Sequence, residues 1–311
     1  MTAAYTGNGA YCFTNALHMC VLASGADPLT LPGPSFIECL TAMPFGRFYR
    51  SIPPSGFGIS ARGWSPEEDG LAVAVEALGW RCEESVGGAT DAAVERLASS
   101  LKHGPVLIGP VDFGHLTHHR GAAGMAGFDH YVVGLEMVAD GLVLHDPAGL
   151  AFALLPVPDL IEAWRAERIT YKRDSFTMRF GFVRERSPTR AEMIAHALPH
   201  IRANARRVID EPGRNTGRRA LEGLAGALRG DVPEALERQL LVFSLPTVAR
   251  RSTDAAGFLA EAGLAEAARL MGEEAVLWGR ACSLVARRDF AGAAAAVETL
   301  AVLEEQLAAA L

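Results

Sequence analysis

The stretch Asp129–Gly149, DHYVVGLEMVADGLVLHDPAG, decides how the rest of the chain is read. Tyr131–Val138 and Leu142–Leu144 are apolar runs with strand character, and Ala139-Asp140-Gly141 between them is a hairpin signal. His130 stands at the entrance of the first strand and Asp146 at the exit of the second. Pro147 ends that strand because it brings no ladder donor. Antiparallel pairing returns both outer ends of a hairpin to one place, so imidazole and carboxylate are expected side by side. A carboxylate there can hold one ring nitrogen while the other faces a nucleophile. Read singly, the same residues are a structural histidine and an Asp-Pro turn.

Upstream of the hairpin, Pro105–Val111 reads as a further strand. Three segments read as helices: Cys12–Ser24 with Gly25 as its stop, Pro66–Leu78 opened by Ser65-Pro66, and Asp91–Ser100. Leu29–Gly63, rich in Pro, Gly and aromatics, reads as irregular. Helices followed by an antiparallel sheet make an α+β order, not the alternation of a doubly wound fold. The texture changes near residue 187. Beyond the Ser187-Pro188 turn come helical segments at Thr189–Asp210, Gly217–Arg229, Pro233–Phe243, Ala255–Glu261, Leu264–Arg287 and Ala291–Ala309. The expectation is therefore a first domain over residues 1–186 and an all-helical accessory domain over 187–311. The length, 311 residues, agrees with two cores.

A net charge of −7 and pI near 5.7 argue against nucleic acid as a partner. No run approaches about 18 apolar residues, so no membrane span is expected. MTAAYTGNGAYC carries no basic segment before an apolar run, so no signal peptide is expected and the location is read as cytoplasmic. Arg outnumbers Lys 27 to 2, which reads as the codon bias of a GC-rich bacterium. Five cysteines are too few and too odd for a disulfide framework, so each is a buried hydrophobe or a chemical group. Cys20, Cys39, Cys82 and Cys282 take the first reading. Cys12 differs because it opens a helix behind Gly7-Asn8-Gly9. Unpaired backbone N–H groups and the positive end of the dipole favour thiolate there, and the same N–H groups are oxyanion donors. Cys near the N-terminus with His and then Asp far downstream is the papain-like order, making Cys12, His130 and Asp146 the expected triad.

Three stretches carry a resemblance to a known family: YCFTNALHMCVLASG, GPVLIGPVDFGHL and the hairpin. Together they resemble the N-terminal domain of the butirosin biosynthesis protein H family, a papain-like branch near the C39 peptidases. GFLAEAGLAEAARLMGEEAVLWGRACSLV is similar to the helical domain that commonly follows it. The resemblance implies an enzyme that moves an acyl group from a carrier-protein thioester to an amine in antibiotic-type specialised metabolism. The phosphopantetheine-borne thioester would be substrate, with no resident cofactor and no metal. Cys12 would attack it, His130 would handle the protons and Asp146 would orient His130. A hydrolase using the same triad and a noncatalytic papain-like binding module are the alternatives. Papain-like peptidases place a Gln six residues before the Cys as oxyanion donor. Position 6 here is Thr6, which leaves Thr6 or Asn8 for that role.

Other residues are expected around such a site. His115, His118, His119 and Asp112 lie in a Gly-rich stretch read as a mobile loop over the site that touches substrate. A solvated loop and a metal site are the rival readings of those histidines. Asn15 and Tyr131 are expected to line the substrate site. Arg202, Arg206, Arg207, Arg214, Arg218 and Arg219 make a locally basic stretch, read either as a docking face for an acidic acyl carrier protein or as a solvated helix with its own ion pairs. The Ala/Leu stripe of Leu264–Leu284 serves as core or as a homodimer interface.

Overall fold

The computed structural model describes residues 4–7, 11–51, 56–58 and 70–311. In chain order the described elements begin with α1 (Cys12–Ala23), α2 (Pro34–Leu40), β1 (Phe48–Arg50), β2 (Gly56–Gly58), α3 (Gly70–Ala77), β3 (Trp80–Ser85) and α4 (Thr90–Leu101). There follow β4 (Val106–Asp112), β5 (Asp129–Val138), β6 (Gly141–Asp146), β7 (Leu150–Leu155), α5 (Val157–Arg165) and β8 (Met178–Arg184). The chain closes with α6 (Arg190–Ala205), β9 (Asp210–Glu211), β10 (Arg214–Thr216), α7 (Gly217–Arg229), α8 (Glu234–Gln239), α9 (Leu245–Glu261), α10 (Ala265–Ala286) and α11 (Phe290–Ala310). The molecule is mixed α+β with antiparallel sheets and a helical C-terminal region. None of the described helices is long and apolar enough to cross a membrane.

Two compact units share the chain: Met1–Ile37 with Trp64–Pro188, and Glu38–Gly63 with Thr189–Leu311. A division at residue 187 into 1–186 and 187–311 misses this exchange. The described residues of 38–63 pack with the helical unit because apolar side chains among them belong to its core. Phe57 is fully buried against Trp278, ring centroids 5.3 Å apart, and Tyr49 joins the same cluster. Nor is the second unit all-helical. β9 and β10 turn about Pro212-Gly213, with Gly213 at φ +78°, and β10 pairs with β1 in a sheet of order β2-β1-β10-β9.

In the first unit the sheet runs β3-β8-β4-β5-β6-β7, antiparallel throughout. Val106, Ile108, Val132, Leu142, Leu144 and Met178 cover one core with Leu97 of α4 and Leu160 and Trp164 of α5. At about 25 cal/mol per Å² this burial supplies the main force holding the two helices to the sheet. The Trp164 indole N–H, which would be costly if orphaned there, donates to Thr177 O at 2.7 Å. α1 packs on β5, Phe13 meeting Tyr131 edge-on at 5.8 Å. α1 ends in a Schellman motif: Ala26 N–H donates to Val21 O and Gly25 N–H to Leu22 O, with Gly25 at φ +97°.

Helical and strand readings of 12–24, 91–100, 105–111 and the hairpin fall on α1, α4, β4, β5 and β6, each extended by a residue or more at one end or both or trimmed by one. The start of the helix expected at Pro66 lies outside the described residues, and the described helix begins at Gly70. Leu29–Gly63 is less irregular than its composition suggests, since it holds α2, β1 and β2.

Candidate active site

The β5–β6 hairpin places His130 and Asp146 as neighbours. His130 Nε2 lies 2.6 Å from Asp146 Oδ1, and both side chains are buried. The Cys12 side chain also interacts with the His130 side chain. Cys12, His130 and Asp146 therefore form one connected chain of polar groups. Cys12 is the first residue of α1 and is half-buried. The residue before it, Tyr11, is held at φ 58°, ψ 46°, a left-handed conformation that costs a non-glycine residue roughly 1 kcal/mol or more. Tyr11 is buried, and its carbonyl accepts from both Asn15 N–H and Asn15 Nδ2. That clasp fixes where Cys12 begins the helix. Asn15, expected at the substrate, is instead fully buried and braces the turn.

Asp146 accepts more than His130. His118 Nε2 and His119 Nε2 each lie 2.8 Å from Oδ2, and Ala148 N–H donates to Oδ1 at 2.7 Å. Burial by itself would raise this carboxyl, but the hydrogen bonds from His118, His119 and His130 outweigh it and hold the group well below the usual carboxylate range. Burial opposes charge on His130, yet the Asp146 hydrogen bond and the Cys12 thiol push it up to about 10. The pair is thus set as carboxylate and imidazolium at neutral pH. Phe113 roofs the cluster, its ring centroid 5.1 Å from His130 and 4.9 Å from His119. Tyr5 Oη donates to Asp146 O at 2.8 Å, tying Tyr5 to the end of β6.

Several expected substrate contacts prove to be scaffolding. Asp112 Oδ1 accepts from Gly114 N–H and Gly127 N–H, both at 2.9 Å, so it staples the two ends of the His-rich segment. A Cβ at Gly114 would meet Ala126 Cα at 2.6 Å, which is why that approach needs glycine. Leu116 is fully buried and Thr117 Oγ1 donates to Asp159 on α5, so the segment is tied down along its length rather than free over the site. His115 stays outside the cluster, its carbonyl accepting from Thr117 N–H. Tyr131, next to His130 on the strand, turns the other way, packing on Phe13 and hydrogen-bonding Tyr171. Thr6 Oγ1 pairs with His18 Nδ1 at 3.1 Å. Asn8 lies outside the described residues. What spacing did not disclose is that His118 and His119 bind Asp146, since only a closed loop brings residues so far apart together.

The basic stretch of the second unit is likewise occupied. Arg202 Nε and Arg206 Nε donate to Leu311 O and Ala308 O, neutralising the end of α11, and Arg218 is paired with Glu222 and Glu305. Arg207 and Arg219 also have partners. The solvated-helix reading, with its own ion pairs, describes these residues better than a free docking face does.

Residues 210–311 match the family model of the YobF C-terminal domain. Over 170 residues the chain is 32% identical to the uncharacterized protein YobF of Bacillus subtilis (strain 168), an alignment covering 54% of this chain and 52% of that protein. The chain spans about half the length of the curated relative it matches. The matched family domain begins at β9 and covers the part of the second unit from there to the C-terminus.

Proposed function

We propose that the protein is a papain-like cysteine acyltransferase that takes an acyl group from a carrier-borne thioester and delivers it to an amine. The connected Cys12–His130–Asp146 relay carries this reading. The Cys12 thiolate, facing the His130 imidazolium, attacks the thioester carbonyl. The tetrahedral oxyanion is met by backbone N–H at the N-terminal end of α1, that of Cys12 itself among them. Its collapse breaks the bond to the pantetheine sulfur, which leaves with the proton from His130, and an acyl-Cys12 thioester remains. Neutral His130 then removes a proton from the incoming amine as it attacks. Collapse releases the amide and restores thiolate and imidazolium. Asp146 keeps the ring oriented and its charge balanced throughout. The first-unit order, a Cys-bearing helix followed by an antiparallel sheet bearing His and Asp, supports the papain-like assignment.

Intact-mass spectrometry after incubation with acyl-pantetheine thioesters tests the proposal. One acyl adduct is expected, absent in Cys12→Ala, and discharged faster by amines than by water. Discharge by water alone would assign hydrolysis instead. No adduct with any donor would overturn both catalytic readings in favour of a binding module. His130→Ala is expected to slow acylation by about 10²–10⁴-fold, and Asp146→Ala by less.

A further inference from the structure

The His118–His119 pair has a geometry that the relay does not require. To orient His130, Asp146 needs only Oδ1, which already carries His130 and Ala148 N–H. Oδ2 is left to two imidazoles at once, each at 2.8 Å. The three donor atoms, two Nε2 and one carboxylate oxygen, lie within 4.8 Å of one another. Their side chains are 6%, 17% and 0% exposed, so the cluster is walled off on the protein side. The two rings stand 4.7 Å apart, tilted rather than stacked, with both Nε2 atoms converging on Oδ2.

We propose that His118, His119 and Asp146 form a binding site for one divalent transition-metal ion of the zinc class. Two imidazoles and a carboxylate are the donor set that borderline ions select, whereas calcium and magnesium demand oxygen ligands. Three protein ligands leave at least one coordination position open to solvent or another ligand. Binding needs each Nε2 lone pair turned to the metal, so each imidazole must carry its proton on Nδ1. No donor holds His118 Nδ1 as an acceptor, because that atom is buried without a hydrogen-bond partner among the described residues; the proton placed there costs the burial of one N–H, which metal coordination at Nε2 must outweigh. Ligand separations in a tetrahedral site, with bonds of about 2.0–2.2 Å, are about 3.4 Å, so each Nε2 moves about half an ångström away from Oδ2 while the two nitrogens, now within 4.8 Å of each other, settle to that spacing. The two adjacent histidines sit in a turn, His119 N–H donating to Leu116 O, within the segment that Asp112 closes at Gly114 and Gly127.

The test uses the full-length chain titrated with Zn²⁺ against a chromophoric chelator, and with Co²⁺ followed by visible absorption. One equivalent of Zn²⁺ is expected, with Cys12→Ser binding as tightly as the parent. His118→Ala and His119→Ala are each expected to weaken binding by at least about tenfold. The Co²⁺ complex of the unaltered protein should show no thiolate charge-transfer band, a readout that does not depend on any variant folding. Absence of a stoichiometric site, a thiolate band, or a double His118→Ala/His119→Ala variant that binds like the parent would each overturn the proposal. The readout is metal uptake, so an inert Cys12 would leave the site standing. Failure to bind metal would leave the acyl-transfer reading untouched.

Discussion

Two aspartates organise the first unit by accepting hydrogen bonds, and they do it for different purposes. Asp146 gathers side chains: His118, His119 and His130 all point ring nitrogens at one carboxylate. Asp112 gathers backbone, one oxygen bonding the amides of Gly114 and Gly127 and closing the loop that delivers His118 and His119. Hydrogen bonds to a charged group contribute about 1.5–3 kcal/mol each, and a buried N–H left without its acceptor costs a similar amount. Asp112→Ala is therefore expected to speed amide hydrogen exchange at Gly114 and Gly127 by about 10–100-fold, while β5 and β6 amides exchange as before. Unchanged exchange at the two glycines would show that the loop holds itself shut. Residue identity was legible here, since Asp112 and all three loop histidines stood out as polar groups beside a strand. Their roles were not, because a contact between His118 and Asp146 is made by loop closure and leaves no trace in local spacing.

Elements were legible in proportion to how local their causes are. The hairpin is written into contiguous sequence, as is α1, whose stop at Gly25 is a property of glycine at positive φ. α6 is another such case: Thr189 and Glu192 form a capping box, with Thr189 Oγ1 accepting from Glu192 N–H and Glu192 Oε2 accepting from Thr189 N–H. Thr189→Ala is expected to lower the unfolding free energy of the helical unit by about 1 kcal/mol, measured by denaturant titration; a loss below a few tenths would mean the cap is made by solvent. By contrast β3, WRCEES, is polar at most positions and is a strand only because β8, nearly a hundred residues on, hydrogen-bonds to it. β1 and β2 are likewise three-residue strands whose partners include β10. Short strands stabilised by distant partners carry little periodic signal of their own.

At the scale of the molecule, the feature that composition could not disclose is the exchange of residues 38–63 into the helical unit, and one buried ionic cluster explains how they are held. Arg47, with no side-chain exposure, donates to Glu274 Oε2 at 2.6 Å and faces Glu304 at 3.6 Å. Glu38 on the same segment is paired with Arg251 of α9, also buried. One arginine cannot balance two carboxylates, and burial together with the neighbouring Glu274 pushes Glu304 up to about 8 despite the attraction of Arg47. Folded protein thus retains a proton on Glu304 that the unfolded chain releases above its ordinary value, 4.5. This contribution is complete below the unfolded value and is lost as pH rises toward about 8. Glu304→Gln keeps the shape and removes the titration. Its stability, followed by thermal unfolding of the helical unit, should fall less between pH 5 and 8.5 than the parent's. Equal slopes for the two proteins would place the proton elsewhere. Arg47→Leu makes the complementary case, because it leaves two carboxylates buried without their cation. Removing one partner of a buried ion pair costs about 3–5 kcal/mol, and the deficit should widen with pH as Glu304 loses its proton. If Arg47→Leu instead unfolds no more readily than the parent at pH 8, the apolar contacts of Tyr49 and Phe57 alone suffice to seat the exchanged segment.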